Sequence, residues 1–182
     1  MALGVLIVGA GGFGMSAADT LVANGRFSVA GFVDDRGPDL GPVLGYPVLG
    51  HSADLARLRG SHRLLVVAIG DNRRRQAICE QALALGYELA TVVHPSAALS
   101  PHAYLADGVL VMAGASVGTL AHLGRGVIVN AGAVVDHHAL VDDFAHLGVG
   151  ACMAGGSRLG PGAKLGEGAV LRAGQVLLAG DL

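Results

Sequence analysis

Tryptophan is absent from this 182-residue chain, aromatic residues make up only 4% of it and charged residues only 14%. Hydrophobic residues nevertheless reach 52%, and glycine numbers 30. A core without large rings has to be assembled from Val, Leu, Ile and Ala on a glycine-rich backbone, which points to a repetitive architecture. Such a chain is too apolar and too weakly charged to stay disordered. Long hydrophobic runs are also missing. The stretches Leu3 to Ala10 and Leu64 to Gly70 fall well short of the ~18 to 20 residues that a membrane-spanning helix needs. The first residues run into a strand-like segment and a glycine turn instead of a basic n-region and h-region, so no secretory signal and a cytoplasmic location are expected. Positive charge is not in excess: the net charge is -2, which leaves no electrostatic footprint for nucleic acid. Arg73 to Arg75 is the one basic run, and it reads as the solvated face of a helix. Cysteine is scarce. Cys79 and Cys152 stand in unlike contexts, which excludes a disulfide framework or a CxxC metal site, and both are expected to be buried thiols.

What is present divides into two grammars. Residues 1–93 alternate apolar strands (Leu3 to Val8, Val29 to Val33, Leu64 to Ile69, Leu89 to Val93) with helical segments near Ser16 to Ala23, Ser52 to Arg59 and Asn72 to Leu85. Asp71 suits the N-cap of the last helix and Gly86 its stop. This alternation predicts a small, Rossmann-like parallel α/β domain. Residues 94–98, opening with His94-Pro95-Ser96, break the pattern and read as a linker.

From Leu99 onward a period of six takes over, through Leu105, Val111, Val117, Leu123, Val129, Val135, Val141, Leu147, Met153, Leu159, Leu165, Leu171 and Leu177 without insertion or miss. Four places after most of these stands a small residue, such as Ala115, Ala133 or Ala151, and three places after most stands Gly, as at Gly114, Gly132 and Gly156. Residues 99–182 are therefore expected to form a parallel β-helix. Each hexad makes one side, three make one triangular coil, and inward aliphatics stack at the ~4.8 Å spacing of neighbouring strands. The register persists to Leu182, so no C-terminal cap is expected.

Two places carry chemistry. Gly9-Ala10-Gly11-Gly12-Phe13-Gly14 is a GxGxxG between a strand and a helix, with Asp34 and Asp35 ending the second strand where an acidic ribose ligand belongs. Its glycines let a phosphate approach backbone N–H groups at a helix N-terminus. A sheet of about four strands offers one mononucleotide half, which suits one nucleotide better than NAD. In the solenoid, Asp136-His137-His138 and His146 form the one histidine cluster. Histidine titrates near neutrality and suits general-base work when an acceptor fixes its tautomer; Asp136 and His138 both stand beside His137 for that role. No third ligand with metal-site spacing accompanies them, so no metal is expected. With eighteen residues per coil, Gly155 lies one strand above His137, where its N–H can face an oxygen near the imidazole. His146 is half a coil away, so a site using both draws on two subunits, and a cyclic trimer with three interfacial sites follows as an expectation.

The α/β domain with GxGxxG, the segment Ala68-Ile69-Gly70-Asp71-Asn72, the run His94-Pro95-Ser96-Ala97 and the run Asn130-Ala131-Gly132-Ala133-Val134-Val135-Asp136-His137 together resemble one family. They are similar to the sialic acid O-acetyltransferases and nucleotide-amino-sugar N-acetyltransferases of the NeuD/PglD type. The resemblance implies a left-handed β-helix, a homotrimer and acetyl-CoA as co-substrate, with a nucleotide sugar held by the N-terminal domain. It also implies that His137 is the base, that His146 and the Gly155 backbone meet the acetyl-CoA thioester, and that Asn130 lines the site. Gly11, Gly12, Phe13, Asp34, Asp35 and Gly70 would contact the nucleotide sugar. The chain departs from the family at His138, where an acidic residue is usual. The expected reaction is N-acetylation of a nucleotide-linked amino sugar by direct transfer. Sugar O-acetylation, noncatalytic sugar-nucleotide binding and an NAD(P)-dependent oxidoreductase stand as alternatives.

Overall fold

The computed structural model describes residues 2–181. The chain divides into two compact units, residues 1–90 and 91–182.

In the first unit, strands β1 (Leu3–Val8), β2 (Phe27–Val33), β3 (Leu64–Val67) and β4 (Glu88–Leu89) form one parallel sheet in the order β2-β1-β3-β4. Helix α1 (Gly12–Asn24) follows β1, α2 (Leu55–Leu58) precedes β3, and α3 (Asn72–Ala84) connects β3 to β4. Strand β1 runs through the centre with Val5, Leu6, Ile7 and Val8 all buried, as expected of a strand covered on both faces. Helix α3 starts where Asp71 accepts the Arg74 N–H at 2.7 Å and stops before Gly86, whose φ of 84° an L-residue adopts only under strain.

The second unit is a parallel β-helix of two-residue strands in three five-stranded sheets. One sheet runs through Ile128–Val129 and His146–Leu147, the next through Val134–Val135 and Cys152–Met153, and the third through His122–Leu123 and Leu140–Val141. Every pairing joins residues eighteen apart, as in His122 with Leu140 and Val135 with Met153. The aliphatic positions point inward: Val117, Leu123, Val129, Val135, Val141, Leu147 and Met153 are all buried, with Ala133, Ala139, Ala145 and Ala151 between them. Each such Val or Leu contributes about 1.5–3 kcal/mol by leaving water. Leu99 is 40% exposed, because its strand in the first coil pairs on one side only.

The boundary differs from the sequence reading. Leu89 belongs to β4, but Val92–Val93 pairs with Leu110–Val111 in the solenoid. The segment 94–98 is a solenoid corner, with the Ala97 N–H bonded to the His94 carbonyl at 2.9 Å. Val93 stands six residues before Leu99 and extends the repeat backwards.

Corners turn on a residue with left-handed φ, usually Gly, as at Gly114 (69°), Gly132 (66°) and Gly156 (66°). Leu120 (59°), His138 (57°) and Phe144 (57°) hold the same conformation without being glycine. Phe144 is buried and lies across Gly126 of the preceding coil, where a Cβ would come within 2.7 Å of its ring.

Candidate active site

The first unit carries a cavity of about 540 Å3 at the carboxyl ends of β1, β2 and β3. Strands β2 and β3 flank β1 on either side, so the strand order switches there, which is where open α/β sheets bind ligands. The glycines of the turn divide the work. A Cβ on Gly9 would meet the Ala68 carbonyl at 2.7 Å and one on Gly14 the Gly9 carbonyl at 1.9 Å, so these two allow turn and helix to close up. Gly11 and Gly12 face open space within the cavity lining. Phe13, Asp34, Asp35 and Gly70 line the same cavity.

Both carboxylates are already engaged. Asp34 accepts the Ala10 N–H at 2.7 Å and pairs with Arg36 through two side-chain contacts of 2.8 and 3.1 Å. The Arg36 guanidinium, helped by the Ala10 and Arg36 backbone N–H groups, holds the Asp34 carboxyl far below the usual carboxylate range. Asp35 accepts from the Ser52 hydroxyl at 2.6 Å and the Ser52 N–H at 3.0 Å, and pairs with Arg74. Those Ser52 bonds and then Arg74 lower its pKa.

Arg36, Ser52 and Arg74 therefore belong to the cavity wall, although no sequence motif singles them out. The arginine run corrects the solvated-face reading. Arg73 is exposed, Arg74 lines the cavity, and Arg75 is 1% exposed with its Nη1 on the Ile69 carbonyl at 2.9 Å. Burial pushes the Arg75 guanidinium down to about 10. The signal was available: Arg75 shares a helix face with Ile78, Cys79 and Ala82, all buried.

In the solenoid, Asp136, His137 and His138 make the corner between strands Val134–Val135 and Leu140–Val141. The turn puts His137 and His138 side by side, with their Nδ1 atoms 3.1 Å apart. Asp136 Oδ1 accepts the backbone N–H of His137 at 2.7 Å, while its Oδ2 lies 3.8 Å from His137 Nε2. Gly155 sits one coil on, so close to the imidazole that a Cβ there would lie 2.5 Å from His137 Cε1 and 2.7 Å from Nε2. The Gly155 N–H has no hydrogen-bond acceptor among the described residues. Asp136, His137, His138 and Gly155 thus come together.

His146 and Asn130 do not join them. His146 is buried in the sheet opposite that corner of the prism. Asn130 follows the strand before it, its Oδ1 bonded to the Ala131 N–H at 2.8 Å. Cys79 is buried as expected, but Cys152 points outward and is only half-buried. The inward position of its two-residue strand belongs to Met153. Among the described residues no group of three or more His, Cys, Asp or Glu side chains is placed to hold a metal ion, and no helix is long and apolar enough to cross a membrane.

A nucleotide-type α/β unit followed by a hexapeptide-repeat β-helix with an exposed corner histidine defines the class of hexapeptide-repeat acyltransferases. Residues 4–82 match the PglD N-terminal domain family. The acetyltransferase domain of PglB from Neisseria gonorrhoeae, solved with acetyl coenzyme A, is 38% identical over 99% of this chain and 87% of that one, with a TM-score of 0.92. A mutant of perosamine N-acetyltransferase from Caulobacter crescentus, solved with CoA and GDP-perosamine, is 36% identical over 97% of this chain and 89% of that one, with a TM-score of 0.83. WeeI from Acinetobacter baumannii shares the fold at 21% identity over 98% of this chain and 95% of that one, with a TM-score of 0.70. No curated protein matches the sequence. The chain belongs to the family of hexapeptide-repeat sugar acetyltransferases that the PglB and perosamine N-acetyltransferase structures represent, and its solenoid is a left-handed β-helix. That membership replaces the oxidoreductase reading of the glycine motif.

Proposed function

We propose that this acyltransferase moves the acetyl group of acetyl-CoA onto the amine of a nucleotide-linked amino sugar, with His137 as general base. The observation that carries the proposal is the exposed His137 imidazole lying against Gly155, whose N–H is uncommitted. The amine nitrogen attacks the thioester carbonyl while His137 Nε2 takes its proton. The Gly155 N–H donates to the oxyanion of the tetrahedral intermediate. The C–S bond then breaks, and the proton held by His137 passes to the departing CoA thiolate. No Ser or Cys stands next to His137 in the sequence, which favours direct transfer over an acyl-enzyme.

The nucleotide is assigned to the 540 Å3 cavity of the first unit, a volume that suits a small ligand. Gly11 and Gly12 leave the α1 N-terminus open to a phosphate, Asp34, Asp35 and Gly70 frame the opening, and Phe13 supplies an apolar wall. Arg36 and Arg74 present guanidinium N–H groups there, beside the carboxylates they pair with. His146 and Asn130 are assigned to the acetyl-CoA site of a neighbouring subunit in a homotrimer, because one prism cannot bring them to His137.

The test is an acetyl-CoA assay over a panel of amino-sugar nucleotides and unmodified sugars. N-acetylated product with wild type, and turnover lower by about 10² to 10⁴ in His137→Ala, are expected. Wild-type turnover in His137→Ala, or product only on hydroxyl acceptors, overturns the proposal.

A further inference from the structure

We infer that His138 is the positioning residue for His137, acting as a neutral hydrogen-bond acceptor where a carboxylate would otherwise serve. The inference rests on His137 being the base. Two imidazole nitrogens 3.1 Å apart need one N–H and one lone pair between them, and each neutral imidazole owns one of each. If His138 donated, His137 would carry its own proton on Nε2 and offer no lone pair there. If His137 donates from Nδ1, its Nε2 is left bare, and only this arrangement leaves a base on the Gly155 side. As Nε2 accepts a proton, the Nδ1–H stays anchored on His138.

The surroundings leave this role to His138. Asp136 Oδ1 is occupied by the His137 backbone N–H, and Oδ2, 3.8 Å from Nε2, lies beyond hydrogen-bond reach and beside the wrong nitrogen. Gly155 on the next coil has no side chain, and Thr119 on the previous coil gives its carbonyl to the His138 N–H at 3.0 Å. The two rings meet nearly perpendicular, at 86°, so that edge nitrogens rather than faces oppose each other. His138 holds φ 57° at the corner position that Gly132, Gly150 and Gly156 occupy elsewhere, as Leu120 and Phe144 also do.

Asparagine discriminates the roles. Its Oδ1 falls where Nδ1 stands, accepts without titrating, and its backbone tolerates left-handed φ. His138→Gly is expected to lower kcat by about 10- to 100-fold, the scale of losing an orienting partner, with the KM for acetyl-CoA unchanged and Tm at or above wild type. His138→Asn is expected to recover most of that loss. Long-range 1H–15N spectra of the full chain should show the His137 proton on Nδ1 in wild type and an Nε2–H population appearing in His138→Gly. Wild-type kcat in His138→Gly, an Asn variant as slow as the Gly variant, or an Nε2–H tautomer in wild type overturns the inference. His137→Ala is run alongside. If it is inactive while His138→Gly is fully active, only the positioning role falls; if it is fully active, the reading of His137 as base falls first.

Discussion

Gly155 is demanded by its neighbour rather than by its own backbone, since it lacks the left-handed φ of the corner glycines and a Cβ would collide with the His137 ring. Gly155→Ala should therefore separate activity from stability. The new methyl displaces the imidazole by a fraction of an ångström or more, and kcat is expected to fall by about 10²-fold. Stability should be unchanged or raised by about 0.4–1 kcal/mol, because the unfolded chain loses freedom. Steady-state kinetics beside thermal unfolding reads both; unaltered kcat would remove Gly155 from the site. His138 presents the reverse case. Its left-handed backbone costs about 1–2 kcal/mol that glycine would not incur, and the sequence already betrayed this, because position 138 falls three places after Val135 where the repeat prefers Gly.

Among the elements, the glycine turn after β1 depends on an acid from the end of β2. Asp34 joins the Ala10 N–H to Arg36, so its carboxylate braces the turn from which α1 starts. The sign of the pH effect follows from its depressed pKa. The folded state binds the proton less readily than the unfolded chain, so the stabilisation is complete above the unfolded value near 4, and it is lost as pH falls through the lower folded value. Asp34→Asn is expected to lose about 1.5–3 kcal/mol near neutrality and to flatten the acid side of the stability profile, measured by denaturant unfolding from pH 7 down to pH 3. An unchanged acid limb would show that the brace carries no stability. The strand-turn-helix and the two aspartates were legible because GxGxxG and an acid at the next strand end are local patterns. The partners of those aspartates were not, because Ser52 and Arg74 are 17 and 39 residues from Asp35 and meet it only through the fold. The run Leu89 to Val93 misled for a related reason. Four apolar residues around Thr91 look like one strand, whereas Leu89 pairs with Leu65 and Val93 with Val111.

For the whole molecule, one corner of one prism holds half of the proposed machinery. Around it stand outward apolar side chains such as Leu140 (44% exposed) and Val170 (65%), which a chain with few charges does not shield. A trimer is the expected assembly in sedimentation velocity. Mixing gives the sharper test: inactive His137→Ala and His146→Ala trimers, dissociated and reassembled together, should regain part of the activity, because some interfaces receive both intact histidines. No recovery would mean that each subunit works alone. Nine residues, half of an eighteen-residue coil, separate His137 from His146, and His146 lies in a different sheet from the strand that leads into His137.

The eighteen-residue pairing also governs what the gene can do. Removing eighteen codons excises one storey and returns every column above it to its old alignment. Removing six keeps inward residues inward but rotates everything downstream by a third of a turn. Made between His137 and Gly155, such a deletion would preserve a folded prism and part the histidine from its glycine. Deletions whose length is not a multiple of six take the downstream aliphatics out of the inward positions, so the fold constrains the length of the repeat as well as its residue types.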